Sequence, residues 1–77
     1  MNPYKSFIEV FNNNRYIKFK LYSLNYIIEY EKDLIVIYTT YDENRKKYYK
    51  SIEELLKEYK VFNEPLKDII NDIKLDK

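Results

Sequence analysis

Not one of the 77 residues is glycine. Glycine enters the left-handed region of backbone space without cost, and tight hairpins and helix ends depend on that freedom. A chain without it must close its turns with residues that carry a Cβ. Asn and Asp tolerate the conformation best, and the sequence offers them at Asn12-Asn13-Asn14, Asp33 and Asn44. These positions are the expected ends of elements. The same absence closes off phosphate-cradling loops and dinucleotide fingerprints, whose backbone must approach the ligand closely.

His, Cys, Trp, Ala and Gln are missing as well. Without His and Cys there is no Ser-His-Asp or Cys-His arrangement to activate a nucleophile. There is also no disulfide and no Cys₂His₂ or Cys₄ zinc site. No cofactor and no metal are expected, and the chain does not read as an enzyme. Asp, Glu, Lys and Tyr are the remaining acid–base groups. Asp68 and Asp72 stand four apart, with Asp76 next in the series. Such a spacing holds Mg²⁺ weakly at best, and it reads as the solvated side of a helix. Glu53, Glu54 and Glu58 are accounted for by capping and the helix dipole.

The length is that of one domain, 1–77, near the lower limit for a core without staples. Fourteen aromatic residues, ten Tyr and four Phe, supply large buried area for few rotatable bonds. The heavy use of Lys, Ile, Tyr and Asn matches A/T-rich codons, so an AT-rich genome is expected. The longest uninterrupted apolar run, Leu34 to Tyr38, is far short of the roughly 20 residues of a spanning helix. Cytoplasmic residence without a membrane partner is the expectation. Net charge is +1, but residues 1–50 carry nine Lys/Arg against six Asp/Glu, and residues 51–77 five against seven. The front is mildly basic and the tail mildly acidic.

Periodicity assigns an α+β fold. Tyr4, Phe7, Ile8 and Phe11 fall on one helical face behind Pro3, with an extended strand as the alternative. Residues 15–22, 25–31 and 34–41 alternate as strands. Ser23-Leu24 and Lys32-Asp33 are the expected hairpin links. Setting Tyr22 against Asn25 pairs Ile17 with Tyr30, Phe19 with Ile28, Leu21 with Tyr26 and Lys18 with Glu29. Setting Glu31 against Leu34 brings Ile35 and Ile37 onto the same apolar face. The result is a three-stranded antiparallel meander, with Lys46 to Lys50 as a fourth, edge strand. Ser51 and Glu54 form a capping box ahead of Ile52, Leu55, Leu56 and Tyr59. Pro65 then opens a second helix carrying Leu66, Ile69, Ile70 and Ile73. The N-terminal helix, the three- to four-stranded sheet and two C-terminal helices packed on one face complete the expected architecture.

Two surfaces stand out. Arg45-Lys46-Lys47-Tyr48-Tyr49-Lys50 is the densest basic–aromatic cluster, and Lys18 and Lys20 on the outer sheet face would extend it. Tyrosines beside cations suit single-stranded nucleic acid, although Glu29 and Glu31 on the same face oppose this. Second, Ile27, Val36 and Tyr38, with Leu34, fall opposite the core. Either the N-terminal helix covers them, or they form a contact patch.

Surface chemistry is what remains, so the sequence reads as a non-enzymatic protein-binding module. In scale and composition it resembles the small anti-CRISPR and other anti-defence proteins. That resemblance implies an inhibitor encoded by a phage or mobile element, occluding the surface of a host defence nuclease. The partner would be such a nuclease or defence complex, or a second copy of the chain in a homodimer. A small nucleic-acid-binding accessory or regulator using the Lys/Tyr surface is the alternative. No small-molecule ligand is expected.

Overall fold

The computed structural model describes residues 2–75. Helix α1 (Pro3–Asn14) leads into strands β1 (Tyr16–Leu21), β2 (Leu24–Glu31), β3 (Leu34–Thr39) and β4 (Lys47–Tyr49). Helix α2 (Ile52–Glu58) follows, then a small hairpin of β5 (Lys60–Val61) and β6 (Glu64–Pro65), a 3₁₀ helix (Leu66–Asp72) and β7 (Lys74–Leu75). The main sheet is antiparallel, in the order β4-β3-β2-β1-β7. The fold is α+β with an N-terminal helix, as the periodicity indicates. The sheet gains a fifth strand because the chain returns beside β1 at Phe19 and Lys20.

Local chemistry explains the ends of α1. Pro3 takes the first helical position, and the Asn2 side chain accepts from the N–H groups of Tyr4 (3.0 Å) and Lys5 (3.4 Å), satisfying two otherwise orphaned donors. The helix runs through all three asparagines expected to stop it. Arg15 takes the left-handed conformation instead, at φ 56°, and its N–H donates to the Phe11 carbonyl. The reason is tertiary. The Arg15 guanidinium lies 4.3 Å from the centre of the Tyr30 ring, which is stacked on Phe11 at 5.4 Å.

The β2–β3 register is the expected one, with Glu31 opposite Leu34 and Ile28 opposite Ile37. The β1–β2 register differs. Leu21 pairs with Leu24, Phe19 with Tyr26 and Ile17 with Ile28, so Lys18 faces Ile27 rather than Glu29. The turn is Tyr22-Ser23, both left-handed at φ 49° and 71°. The slip is by two residues, so every side chain keeps its face and the apolar pattern is equally satisfied. In this register Phe19 stacks on Tyr26 with centroids 5.1 Å apart, and Phe7 meets Phe19 edge-on at 5.7 Å.

All helices lie on one face of the sheet. Phe7 and Phe11 of α1, Ile52, Leu55 and Leu56 of α2, and Leu66 and Ile69 of the 3₁₀ helix are buried against Ile17, Phe19, Leu21, Tyr26, Ile28, Ile35 and Ile37. Ser51 caps α2 by accepting from the Glu54 N–H. The second C-terminal helix is 3₁₀ rather than α, broken by non-helical angles at Ile69. At about three residues per turn, Leu66 and Ile69 eclipse and point inward together. A four-residue carboxylate stripe does not form on such a helix, and Asp76 lies outside the described residues. Residues 61–63 are a hairpin connection rather than a simple break, with Phe62 and Asn63 left-handed at φ 53° and 67°.

Candidate functional site

Among the described residues no helix covers the outer face of the sheet, because α1 joins the other helices on the core side. The expected exposed apolar patch is nevertheless absent at its centre: Val36 is 0% exposed and Tyr38 is buried. Ile27 is half-buried, and Leu34 is exposed. The cover comes sideways, from neighbouring strands. Val36 stands between Glu29 of β2 and Tyr48 of β4. The Tyr38 hydroxyl donates to Glu29 Oε2 at 2.8 Å, and the Tyr48 hydroxyl reaches both oxygens of Glu31 at 3.2 Å. Lys46 Nζ lies 3.6 Å from Glu31 and 5.2 Å from the centre of the Tyr38 ring. The face is a lattice of phenol–carboxylate bonds roofed by one lysine. Burial, then the Glu29 hydrogen bond, push the Tyr38 phenol up to about 12. It stays protonated near neutrality and is no general base.

The basic–aromatic cluster is also divided. Alternation along β4 sends Tyr48 to the outer face with Val36, and Lys47 and Tyr49 to the core side with Ile37 and Ile35. Lys46 is taken by Glu31. The Arg45 side chain is 87% exposed, with Asp42 at 3.9 Å. Lys50 is exposed, and its backbone N–H donates to Glu54 Oε1 at 3.4 Å. Lys18 and Lys20 lie on the outer face across from Ile27 and Asn25, so they are separated from Lys47 by the thickness of the sheet. No continuous cationic track results. Among the described residues there is no group of three Asp or Glu that could hold a metal ion.

What the sequence reading missed is one end of the molecule. The Tyr22-Ser23 turn, the segment after β3 and the Phe62-Asn63 turn converge there. The rings of Tyr22 and Phe62 are 5.6 Å apart, and the Tyr22 hydroxyl donates to Asp72 at 2.9 Å. That bond, then desolvation and the Asp72 and Glu64 charges, raises the phenol above its ordinary value. Thr40 N–H donates to the Asn25 carbonyl at 3.0 Å, which extends the β2–β3 pairing by one residue before the chain bends away at Thr40 and Tyr41. Phe62 is 78% exposed and Tyr41 87%, and Leu24 and Tyr22 are exposed as well. The available signal was conformational. Tyr22 and Phe62 each occupy the first position of a two-residue turn that demands positive φ, where aromatic side chains are disfavoured.

An apolar cleft of about 260 Å³ lies between α1 and the 3₁₀ helix, lined by Pro3, Phe7, Ile70, Ile73 and Leu75. It adjoins the point where the chain continues past the described residues. A more polar cleft beside Tyr22 is lined by Lys20, Ser23, Asn71, Asp72 and Lys74. Neither holds an activated nucleophile or a cluster of carboxylates. No protein-family model, no curated protein and no solved structure matches this chain.

Proposed function

We propose that this chain is a non-enzymatic protein-binding module whose contact surface is the hairpin end bearing Tyr22, Leu24, Tyr41 and Phe62. The observation that carries the reading is Phe62. A phenylalanine held 78% exposed at φ 53° costs backbone strain and hydrates a large ring, and its ring contact with Tyr22 offsets this only in part. Strain of this kind is retained where it serves recognition. Exposed aromatics of two hairpins held in one cluster have the composition of a binding hot spot. A folded protein offering an apolar pocket is the matching partner. A host defence nuclease occluded by this end is the specific form of the proposal.

The test is inhibition of purified host nucleases by the chain and by Phe62→Ser. The reading expects a complex that survives high salt with the wild-type chain and is lost with the variant. Equal inhibition by both proteins would remove the hairpin end from the account. Absence of any complex across defence nucleases would remove the inhibitor assignment.

A further inference from the structure

We infer that the open edge of the sheet at β4 is a docking site for an extended, acidic stretch of polypeptide, which adds there as a further strand. The site goes beyond the hairpin-end reading and stands on other residues.

The backbone supplies the first argument. Thr40 donates to Asn25, so even-numbered residues of β3 turn their N–H and C=O groups toward β2 and odd-numbered ones toward β4. Ile35 and Ile37 therefore engage Tyr49 and Lys47, their partners in register. Tyr48, between them, turns its N–H and C=O away from the sheet. The next outward N–H in the series, that of Lys50, is met by the Glu54 side chain. Tyr48 is thus an open backbone pair on an edge that carries neither proline nor bulge.

Charge chooses the occupant. Lys47 and Lys50 flank this pair in the chain, and Arg45 and Lys46 next to them are partly neutralised by Asp42 at 3.9 Å and Glu31 at 3.6 Å, which leaves the edge basic. Lysines on an edge repel a like edge, which disfavours a second copy pairing through β4. An acidic strand meets the opposite situation. Lys47 and Tyr59 are shared by two adjoining clefts on the core side. One, of about 480 Å³, is completed by Arg45 and Lys46; the other, of about 300 Å³, by Tyr49, Glu58 and Lys60. Alternate residues of a strand project to the same side about 6.6 Å apart, so an acidic side chain at i can address the cleft of Arg45, Lys46 and Lys47 while the residue at i+2 meets the cleft that holds Lys60 and Glu58. Single-stranded nucleic acid fits less well. Tyr49 and Tyr59 are half-buried, and Tyr48 lies on the other face, tied to Glu31. No ring beside Lys47 is free to stack on a base.

The experiment is an NMR titration of the chain with three probes: a short capped peptide alternating Glu and Val, its Lys/Val counterpart, and a short thymidine oligonucleotide. The acidic peptide should bind and move the Tyr48 amide signal, and the Lys/Val peptide should not. Lys47→Glu should weaken the acidic peptide by about tenfold or more, equivalent to about 1.4 kcal/mol, and Lys47→Gln by less. Lys5→Glu, the same charge change on α1, should leave it within about twofold of wild type. Equal losses from Lys47→Glu and Lys5→Glu would reduce the effect to net charge and overturn the site. An unmoved Tyr48 amide would overturn strand addition. Tighter binding of the oligonucleotide than of the peptide would replace the peptide with nucleic acid. None of these results bears on Phe62, which is read by nuclease inhibition.

Discussion

The ring of Phe62 rests 5.6 Å from that of Tyr22, and both residues sit in left-handed turn positions. One contact thus joins the tips of two hairpins that are 40 residues apart in the chain. It also places two disfavoured conformers side by side. A non-glycine residue in this region gives up roughly 1–2 kcal/mol, and an aromatic pair returns roughly 0.5–1.5 kcal/mol. The ring contact offsets about one of the two strained positions.

Phe62→Asn should therefore leave stability within about 1 kcal/mol of wild type, since Asn relieves the strain as it loses the ring contact. Denaturant midpoints check this. The proposed binding should be lost in the same variant, separating recognition from folding.

Phe19→Ala should behave in the opposite way. Phe19 is fully buried between Tyr26 and Phe7, and such truncations cost about 3–5 kcal/mol. Against a total of about 4–12 kcal/mol for a chain of this length, the variant should lose at least about a quarter of its stability and, at the lower end of that range, unfold. Loss of the near-ultraviolet circular dichroism signal reads this directly.

Arg15 offers a test of helix termination. Arg15→Ala keeps the left-handed requirement and loses the cation over Tyr30, an exposed contact of about 0.5–1 kcal/mol. Arg15→Gly loses the same contact and gains the conformational freedom suited to a helix end, worth about 1 kcal/mol. Thermal melts should place the alanine variant below wild type and the glycine variant level with it.

Two phenols set an alkaline limit. Tyr38 is pushed up to about 12 by burial and by its bond to Glu29, and Tyr59 to about 12 chiefly by burial. The unfolded value is about 10, so the folded state holds protons that the unfolded state releases above it. Their contribution is complete below about pH 10 and is lost as pH rises toward 12. Unfolding free energy should fall across that window, and Tyr38→Phe or Tyr59→Phe should flatten the fall. Ultraviolet titration of the phenols, beside denaturant curves at each pH, measures both.

The outer face shows most plainly where a one-dimensional reading stops. Alternation assigns Val36 and Tyr38 to the side opposite the core, and they are there. Exposure does not follow from that side alone. Val36 is covered because Glu29 and Tyr48 flank it from two other strands, and Lys46 reaches back over Tyr38. The same limit applies to Arg45–Lys50, contiguous in sequence and divided between two faces by the pleat.

Period-2 and helical spacing act over a few neighbouring positions, so the strand residues that face the core are legible from the chain's own alternation. The sequence by itself likewise determined the Ser51–Glu54 cap and the absence of His, Cys and Gly chemistry. The β1–β2 register is a tertiary outcome: a two-residue slip leaves every face unchanged, and the observed register is the one in which Phe19 stacks on Tyr26 and meets Phe7 edge-on. Tertiary structure decided that Arg15 rather than an asparagine ends α1, because Tyr30 comes from a distant strand. And it decided that Tyr22 and Phe62 meet: without glycine, two turns were closed by aromatics, and only packing of the second hairpin beside the first brought their rings together.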